Sequence, residues 1–313
     1  MKIGIDAMGG DYAPDTIIEG AVDAFPFLSS SDELFLIGDE KLILGKLNEM
    51  GVDPSRFVVV HASQTIAMGD TPSRAFAQKP DSSIAVGYKI LAKGDIDGFC
   101  SAGNTGAMLI GASYTINVIP GVLRPALVTV IPSITGKKSV ILDVGLNPDC
   151  KVDVLVQYGI LGSIYAKFVL NIDDPVVKLL NIGSEPSKGT PSIKAAHEIM
   201  RDHPKINFGG NIEGNELFLE NMADVIVCDG FIGNIVLKET EAMHEIFKRK
   251  FTGSDPFFDN IDSDSIGGTP IIGVNGNVVI GHGASNKKAA MNMILQTTQV
   301  VKVNLAEQIR KSI

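Results

Sequence analysis

Five times along the chain a run of β-branched and apolar residues ends in a glycine-rich turn carrying Asp, Asn, Ser or Thr: Ile3–Asp11, Phe99–Gly106, Ile141–Asp149, Ile226–Asn234 and Val278–Gly283. Runs of this length suit strands buried on both faces, and the glycines after them let backbone N–H groups approach a ligand. Helical patterns at about 14–25, 40–49, 82–93, 104–117, 152–170, 192–202, 232–250 and 285–311 alternate with strand-like runs at 2–6, 34–37, 57–61, 97–100, 127–131, 139–143, 177–182, 224–228 and 278–280. That alternation predicts βαβ units and a mostly parallel, doubly wound α/β sheet. Turns of this kind gather at the carboxyl ends of such strands, where helix N-termini favour negative charge. The pattern implies an enzyme built around an anion.

At 313 residues the chain accommodates one large α/β unit or two lobes sharing a sheet. A net charge of -9 excludes broad nucleic-acid binding, which needs clustered cations. An acidic partner would have to dock on Lys137-Lys138, Lys248-Arg249-Lys250 or Lys287-Lys288. Cys100, Cys150 and Cys228 lack metal-ligand spacing and suit a reducing cytoplasm. Met1-Lys2 runs straight into a strand, which argues against a signal peptide, and the apolar stretch Val154–Ala166 is interrupted by Gln157, Gly159 and Gly162 and reads as a buried helix. The expected protein is soluble and at most peripheral to a membrane.

Asp6-Ala-Met-Gly-Gly-Asp11 sets Gly9 and Gly10 between two carboxylates, with Asp11 placed to cap the next helix. Ser101-Ala-Gly103-Asn104-Thr105-Gly106 packs hydroxyl, amide and bare backbone donors before a helix, a cradle for a phosphoryl oxygen or an elaborate cap. Neither turn fits Walker A or GxGxxG. Asp143-Val-Gly145-Leu-Asn147 and Asp229-Gly230-Phe-Ile-Gly233-Asn234 repeat the logic at later strand ends. Lys188 lies in a Gly/Ser/Pro-bracketed loop after a strand, and His282 sits between Gly281 and Gly283. Each reads either as a ligand contact or as a structural element. Pro14 and Pro191 suit first-turn helix positions, with Thr190 a good cap. Residues 251–268 turn to Gly, Ser, Asp and Phe and read as a mobile connection. Asp259, Asp262 and Asp264 lack the glycine and glutamate of a calcium loop, so no metal and no cofactor is assigned.

Taken in order, IGIDAMGGDYAP (3–14), DGFCSAGNTGAMLIGA (97–112), RPAL (124–127), ILDVGLNPDCK (141–151), LVQYGILGSIYA (155–166), LLNIGSE (179–185), INFGGNIEG (206–214), ADVIVCDGFIGNIVLK (223–238), GGTPIIGVNG (267–276) and GHGAS (281–285) resemble the bacterial phosphate acyltransferase family of phospholipid synthesis. The resemblance implies a single three-layer α/β/α domain over 1–313, like phosphotransacetylases and isocitrate or isopropylmalate dehydrogenases. It implies a cytoplasmic homodimer that makes acyl-phosphate from inorganic phosphate and a fatty acyl thioester of acyl carrier protein, upstream of a membrane glycerol-3-phosphate acyltransferase. It also implies a lysine and an asparagine important for activity, which fall on Lys188 and Asn234, with the glycine-turn residues above holding phosphate.

Three departures stand out. Thr190-Pro191 follows Lys188-Gly189 where the family usually has Asn-Glu, Leu146 replaces a small residue, and the helical hairpin implicated in membrane contact is shortened to about 252–266. Phe251, Phe257 and Phe258 beside Lys248–Lys250 remain available for an anionic surface or for one docked aromatic cluster. A short-chain acyl-coenzyme A phosphotransacylase, a dehydrogenase on the same fold and a non-catalytic anion-binding regulatory module are the rival readings.

Overall fold

Strands form where β-branched and aromatic residues run together. In the computed structural model they are β1 (Lys2–Asp6), β2 (Glu33–Gly38), β3 (Phe57–His61), β4 (Gly98–Ser101), β5 (Ala126–Pro132), β6 (Lys138–Leu142), β7 (Val176–Asn181), β8 (Asn207–Glu213), β9 (Val225–Val227), β10 (Thr269–Ile272) and β11 (Asn277–Ile280). The longer helices are α1 (Asp15–Ala24), α2 (Glu40–Glu49), α3 (Pro72–Gln78), α4 (Ser83–Lys93), α5 (Thr105–Tyr114), α6 (Val152–Val169), α7 (Pro191–Arg201), α8 (Gly230–Lys250), α9 (Lys287–Lys302) and α10 (Leu305–Ser312). The structure describes residues 1–219, 223–251, 257, 261 and 263–313, so Phe258, Asp259 and Asp262 lie outside the described residues. The chain parts into two compact units, residues 1–118 with 263–306 and residues 119–262 with 307–313.

In the first unit the strand order is β3-β2-β1-β4-β11-β10, parallel except for β10 against β11. Neighbouring residues of β4 show how it is covered. A side chain on Gly98 would meet Val301 and Thr297 of α9, while the ring of Phe99 fills the space left by Gly87 of α4. Successive residues point to opposite faces, so α4 and α9 cover opposite sides and the unit has three layers. Ile3, Ile5, Leu34, Leu36, Tyr88 and Phe99 are fully buried there, and the one polar atom of Tyr88 donates to the Met108 carbonyl at 2.6 Å.

The second unit runs β5-β6-β9-β7-β8, parallel except for the β5–β6 pair. Eleven of the eighteen residues of α6 are buried, and the helix packs on β6, β9, β7 and α7. It is long and apolar enough to cross a bilayer, yet Gly162 lets it close directly on Val225 and Leu142, which makes it the core helix expected from its glycines.

Five local expectations change. β8 lacks a strand signal in the sequence, because Gly209 and Gly210 interrupt its alternation, and its register against β7 shifts between Val177 and Leu179. β10 was hidden by Pro270, and α3 by its shortness, although Thr71-Pro72 carries the same start signal as Thr190-Pro191. The pattern over 285–311 is two helices, α9 and α10, broken at Asn304 with φ 49°. Asp11 does not cap α1, whose N-cap is Pro14 without a side-chain acceptor; its N–H instead donates to the Gly283 carbonyl at 2.8 Å.

Candidate functional site

In the first unit, β1, β4 and β11 are neighbours, so their carboxyl-end turns meet. Gly281 N–H donates to the Ser101 carbonyl at 2.8 Å, and Asp11 N–H to Gly283 joins the first turn to the last. Asp6 and Ser101 are fully buried and committed to each other: the Ser101 hydroxyl donates to Asp6 Oδ2 at 2.6 Å and accepts from Gly103 N–H at 2.9 Å. Gly9 is held so close to Asp6, Ser101 and Gly103 that any side chain would collide with all three. Asn104 caps α5 by accepting from Ala107 N–H at 3.0 Å, while its amide faces the carbonyls of Ala67, Met68 and Asp70, each at 3.1 Å. Gly10 at φ 114° turns the chain outward to Asp11, and Asp11, Thr105 and His282 are exposed. His282 Nδ1 accepts from Ala284 N–H at 3.3 Å.

Burial raises the Asp6 carboxyl above its ordinary value, against the hydroxyls of Ser101 and Ser83 and the N–H of Met8. Native Asp6 holds its proton to higher pH than the unfolded chain, so its contribution is complete below about 3.8 and declines as pH rises through the raised native value. Relative to Asp6→Asn, the wild type therefore loses denaturation free energy on going from pH 4 to neutrality. A constant difference between the two across that range contradicts the burial of Asp6.

In the second unit the turns after β6, β9 and β7 lie side by side along one carboxyl edge, with Leu142 and Leu179 both paired to Val227. Asp143 is fully buried and accepts from Leu127 N–H (3.0 Å), Leu146 N–H (3.2 Å), Asn147 N–H (2.6 Å) and Asn147 Nδ2 (3.0 Å). Burial raises its pKa and these donors oppose the rise. Asn147 is buried too, its Nδ2 facing Pro125 O and Tyr158 Oη at 2.8 Å each. Gly145, at φ 137°, a value L side chains rarely adopt, carries the exposed tip of this turn.

Asp229 caps α8, accepting from Ile232 N–H at 2.8 Å, and Gly230 N–H donates to Asn147 O at 2.8 Å. A Cβ on Gly230 would sit 2.9 Å from Asp143 Oδ2, and one on Gly233 would overlap the Asp143 carbonyl. Glycines at both positions let the first turn of α8 rest on the 143–147 turn. Asn234 then stands exposed on that helix, its Oδ1 3.5 Å from where a side chain on Gly145 would begin. Arg124, exposed, reaches Asn147 Oδ1 at 3.5 Å. Lys188 is exposed on the loop after β7, its N–H donating to Glu185 O at 3.1 Å and its carbonyl accepting from Asn181 Nδ2 at 3.2 Å.

The anticipated residues therefore sort by burial. Asp6, Ser101, Gly103, Asn104, Asp143, Asn147, Gly230 and Gly233 build the turns from within, Asp229 caps a helix, and Asp11, Thr105, Gly145, Lys188, Asn234 and His282 face outward. Arg124 was present only inside the RPAL segment. The signal that could have singled it out is a lone cation just before a strand whose partner ends in the Asp143 turn. Burial holds the three thiols protonated: Cys100 is pushed up to about 12, Cys150 to about 11 and Cys228 well above its ordinary value. Among the described residues no group of three or more His, Cys, Asp or Glu side chains is arranged to hold a metal.

Comparison with known proteins adds kinship. Residues 1–308 match the family described as fatty acid synthesis protein. A phosphate acyltransferase of Acetivibrio thermocellus is 41% identical over 335 aligned positions, covering 99% of this chain and 96% of that protein. One from Salinibacter ruber is 39% identical over 99% of this chain and 97% of its own length. Among solved structures, a phosphotransacetylase from Streptococcus pyogenes superposes with a TM-score of 0.68 at 18% identity, covering 96% of this chain and 94% of its own. The phosphotransacetylase EutD of Staphylococcus aureus gives 0.65 at 15% identity, over 97% of this chain and 94% of its own; at such identities the likeness shows the fold alone.

Proposed function

Because this chain belongs to the fatty acid synthesis protein family, alongside the phosphate acyltransferases, and is a transferase, we propose that it moves a fatty acyl group from the thioester of acyl carrier protein to inorganic phosphate. The product is acyl-phosphate, passed to a membrane glycerol-3-phosphate acyltransferase on the way to phosphatidic acid. The enzyme works in the cytoplasm as a homodimer. What carries the reading on the structural side is the carboxyl edge of β6, β9 and β7. There Gly145, Arg124, Asn234 and the Lys188 loop face outward beside the N-terminus of a 21-residue helix.

Phosphate is already anionic near neutral pH and needs placing more than deprotonating. The Lys188 ammonium is the primary cation for it, with the Arg124 guanidinium a second. A phosphate oxygen attacks the thioester carbonyl carbon, and the Asn234 amide together with turn N–H groups stabilises the oxyanion that develops. The carbon–sulfur bond then breaks, and the carrier thiolate leaves and takes a proton from solvent. No enzyme nucleophile takes part.

Two measurements follow. Incubation with palmitoyl–acyl carrier protein and phosphate yields acyl-phosphate and free carrier. Preference for acetyl-coenzyme A would instead mark a short-chain phosphotransacylase, and no product from either donor would leave only an anion-binding module. Replacing Cys100, Cys150 and Cys228 together by alanine retains turnover within a few-fold while lowering stability, since all three are buried. Loss of turnover in a triple variant that is still folded would return a thiol to the mechanism.

A further inference from the structure

The exposed loop after β7 is tied to the protein interior by a buried asparagine that none of the site assignments uses. Asn211 follows the Gly209–Gly210 irregularity of β8, and its Nδ2 donates to the Glu185 carbonyl at 2.9 Å. The same carbonyl accepts from Lys188 N–H at 3.1 Å. With its amide nitrogen turned to an atom that can only accept, Asn211 presents Oδ1 to His197 Nδ1 at 3.0 Å, so the imidazole carries its proton on Nδ1. His197, on α7, is 6% exposed, Asn211 is 5% exposed, and the ring of Phe208 meets the imidazole edge-on at 4.9 Å. At the far end of the loop Asn181 accepts from Ile182 N–H at 2.8 Å and donates to the Lys188 carbonyl.

Residues 184–188 are all exposed, and among residues 182–189 only Gly183 is buried, so apolar packing holds the loop hardly at all. Its order comes from these amide contacts. We propose that Asn211, oriented by His197, is a positioning residue: it fixes the Glu185 carbonyl and through it the backbone from which Lys188 reaches phosphate. The functional half of this inference rests on the reading of Lys188 given above, whereas the holding of the loop does not.

The test uses Asn211→Asp, which still accepts from His197 but cannot donate to Glu185, and His197→Phe, which keeps a ring against Phe208 but loses the Nδ1 proton. In both, amide exchange over 183–190 accelerates while that of α6 stays at the wild-type rate. The kcat/KM for phosphate falls about 10-fold or more, as misplacement of a substrate-holding group does. In a Lys188→Ala background Asn211→Asp costs less than about 2-fold further, because the route it serves is gone. Unchanged exchange over 183–190 in both variants overturns the loop-holding role. An equal loss of rate with and without Lys188 overturns the route through the lysine. If Lys188→Ala alone retains full rate, the catalytic reading of the lysine fails, and the exchange rates still decide whether Asn211 holds the loop.

Discussion

Replacing Lys188 by alanine lowers the rate of acyl transfer to phosphate on the order of 10²-fold or more, the scale on which loss of a positioning or oxyanion contact acts. The thermal midpoint barely changes, because the side chain is exposed and surface substitutions away from special features usually stay within about 0.5 kcal/mol. Lys188→Arg keeps the charge but changes its shape and reach, so it recovers only part of the rate. The loss shows at subsaturating phosphate before it shows in binding of the acyl donor, since the proposed function assigns the ammonium to phosphate. Turnover near the wild-type level in a folded Lys188→Ala protein would remove the lysine from the mechanism.

The second large effect comes from a residue with no side chain. Gly233→Ala places a methyl group on the Asp143 carbonyl and within 3.0 Å of Cys228 Sγ. Alanine in a helix gains about 1 kcal/mol over glycine, whereas overpacking of a filled site costs about 1–3 kcal/mol and more against rigid backbone. The overlap is with backbone, so the steric cost wins, and net destabilisation of about 2 kcal/mol is expected. Because relief requires the first turn of α8 to lift from the 143–147 turn, Asn234 moves with it. Activity then falls at temperatures where the protein remains folded. Gly45→Ala in α2 is the control: apart from its chain neighbours and the backbone of its own helix, nothing lies within 4 Å of the new methyl, so it is neutral or slightly stabilising. Equal behaviour of the two variants in denaturation and in turnover would refute the close packing of α8 on the Asp143 turn.

Much of the fold is legible from residue order because the forces that shape single elements act over a few residues. Thr190 accepts from Ile193 N–H, Asn104 from Ala107 N–H and Asp229 from Ile232 N–H, each three positions on. Cap, first turn and glycine stop can all be read in such a window. Gly-Gly in β8, Pro270 in β10 and the brevity of α3 defeat the same reading. There the local preference opposes the element, and pairing with distant strands supplies what the propensity lacks.

The outward roles of the turn residues are less legible. Asp6 and Asp143 look alike as strand-end carboxylates and resemble ligand contacts, but both are spent inside. Asp6 meets a hydroxyl 95 positions away, and Asp143 meets an N–H 16 positions before it. A buried polar group is costly unless it is bonded, so the protein interior claims these carboxylates first.

By its order of residues alone this chain determined an alternating α/β architecture, the strand ends where its polar turns fall, and membership of a kin group whose segments it repeats from end to end. Propensity, capping and turn chemistry are near-neighbour effects that need no partner. Tertiary structure decided which of those turn residues remain free to meet a ligand, brought Arg124 to the Asp143 turn, and hung the Lys188 loop on Asn211. Burial and register are set by residues far apart in the chain, and only their assembly separates a scaffold carboxylate from a working one.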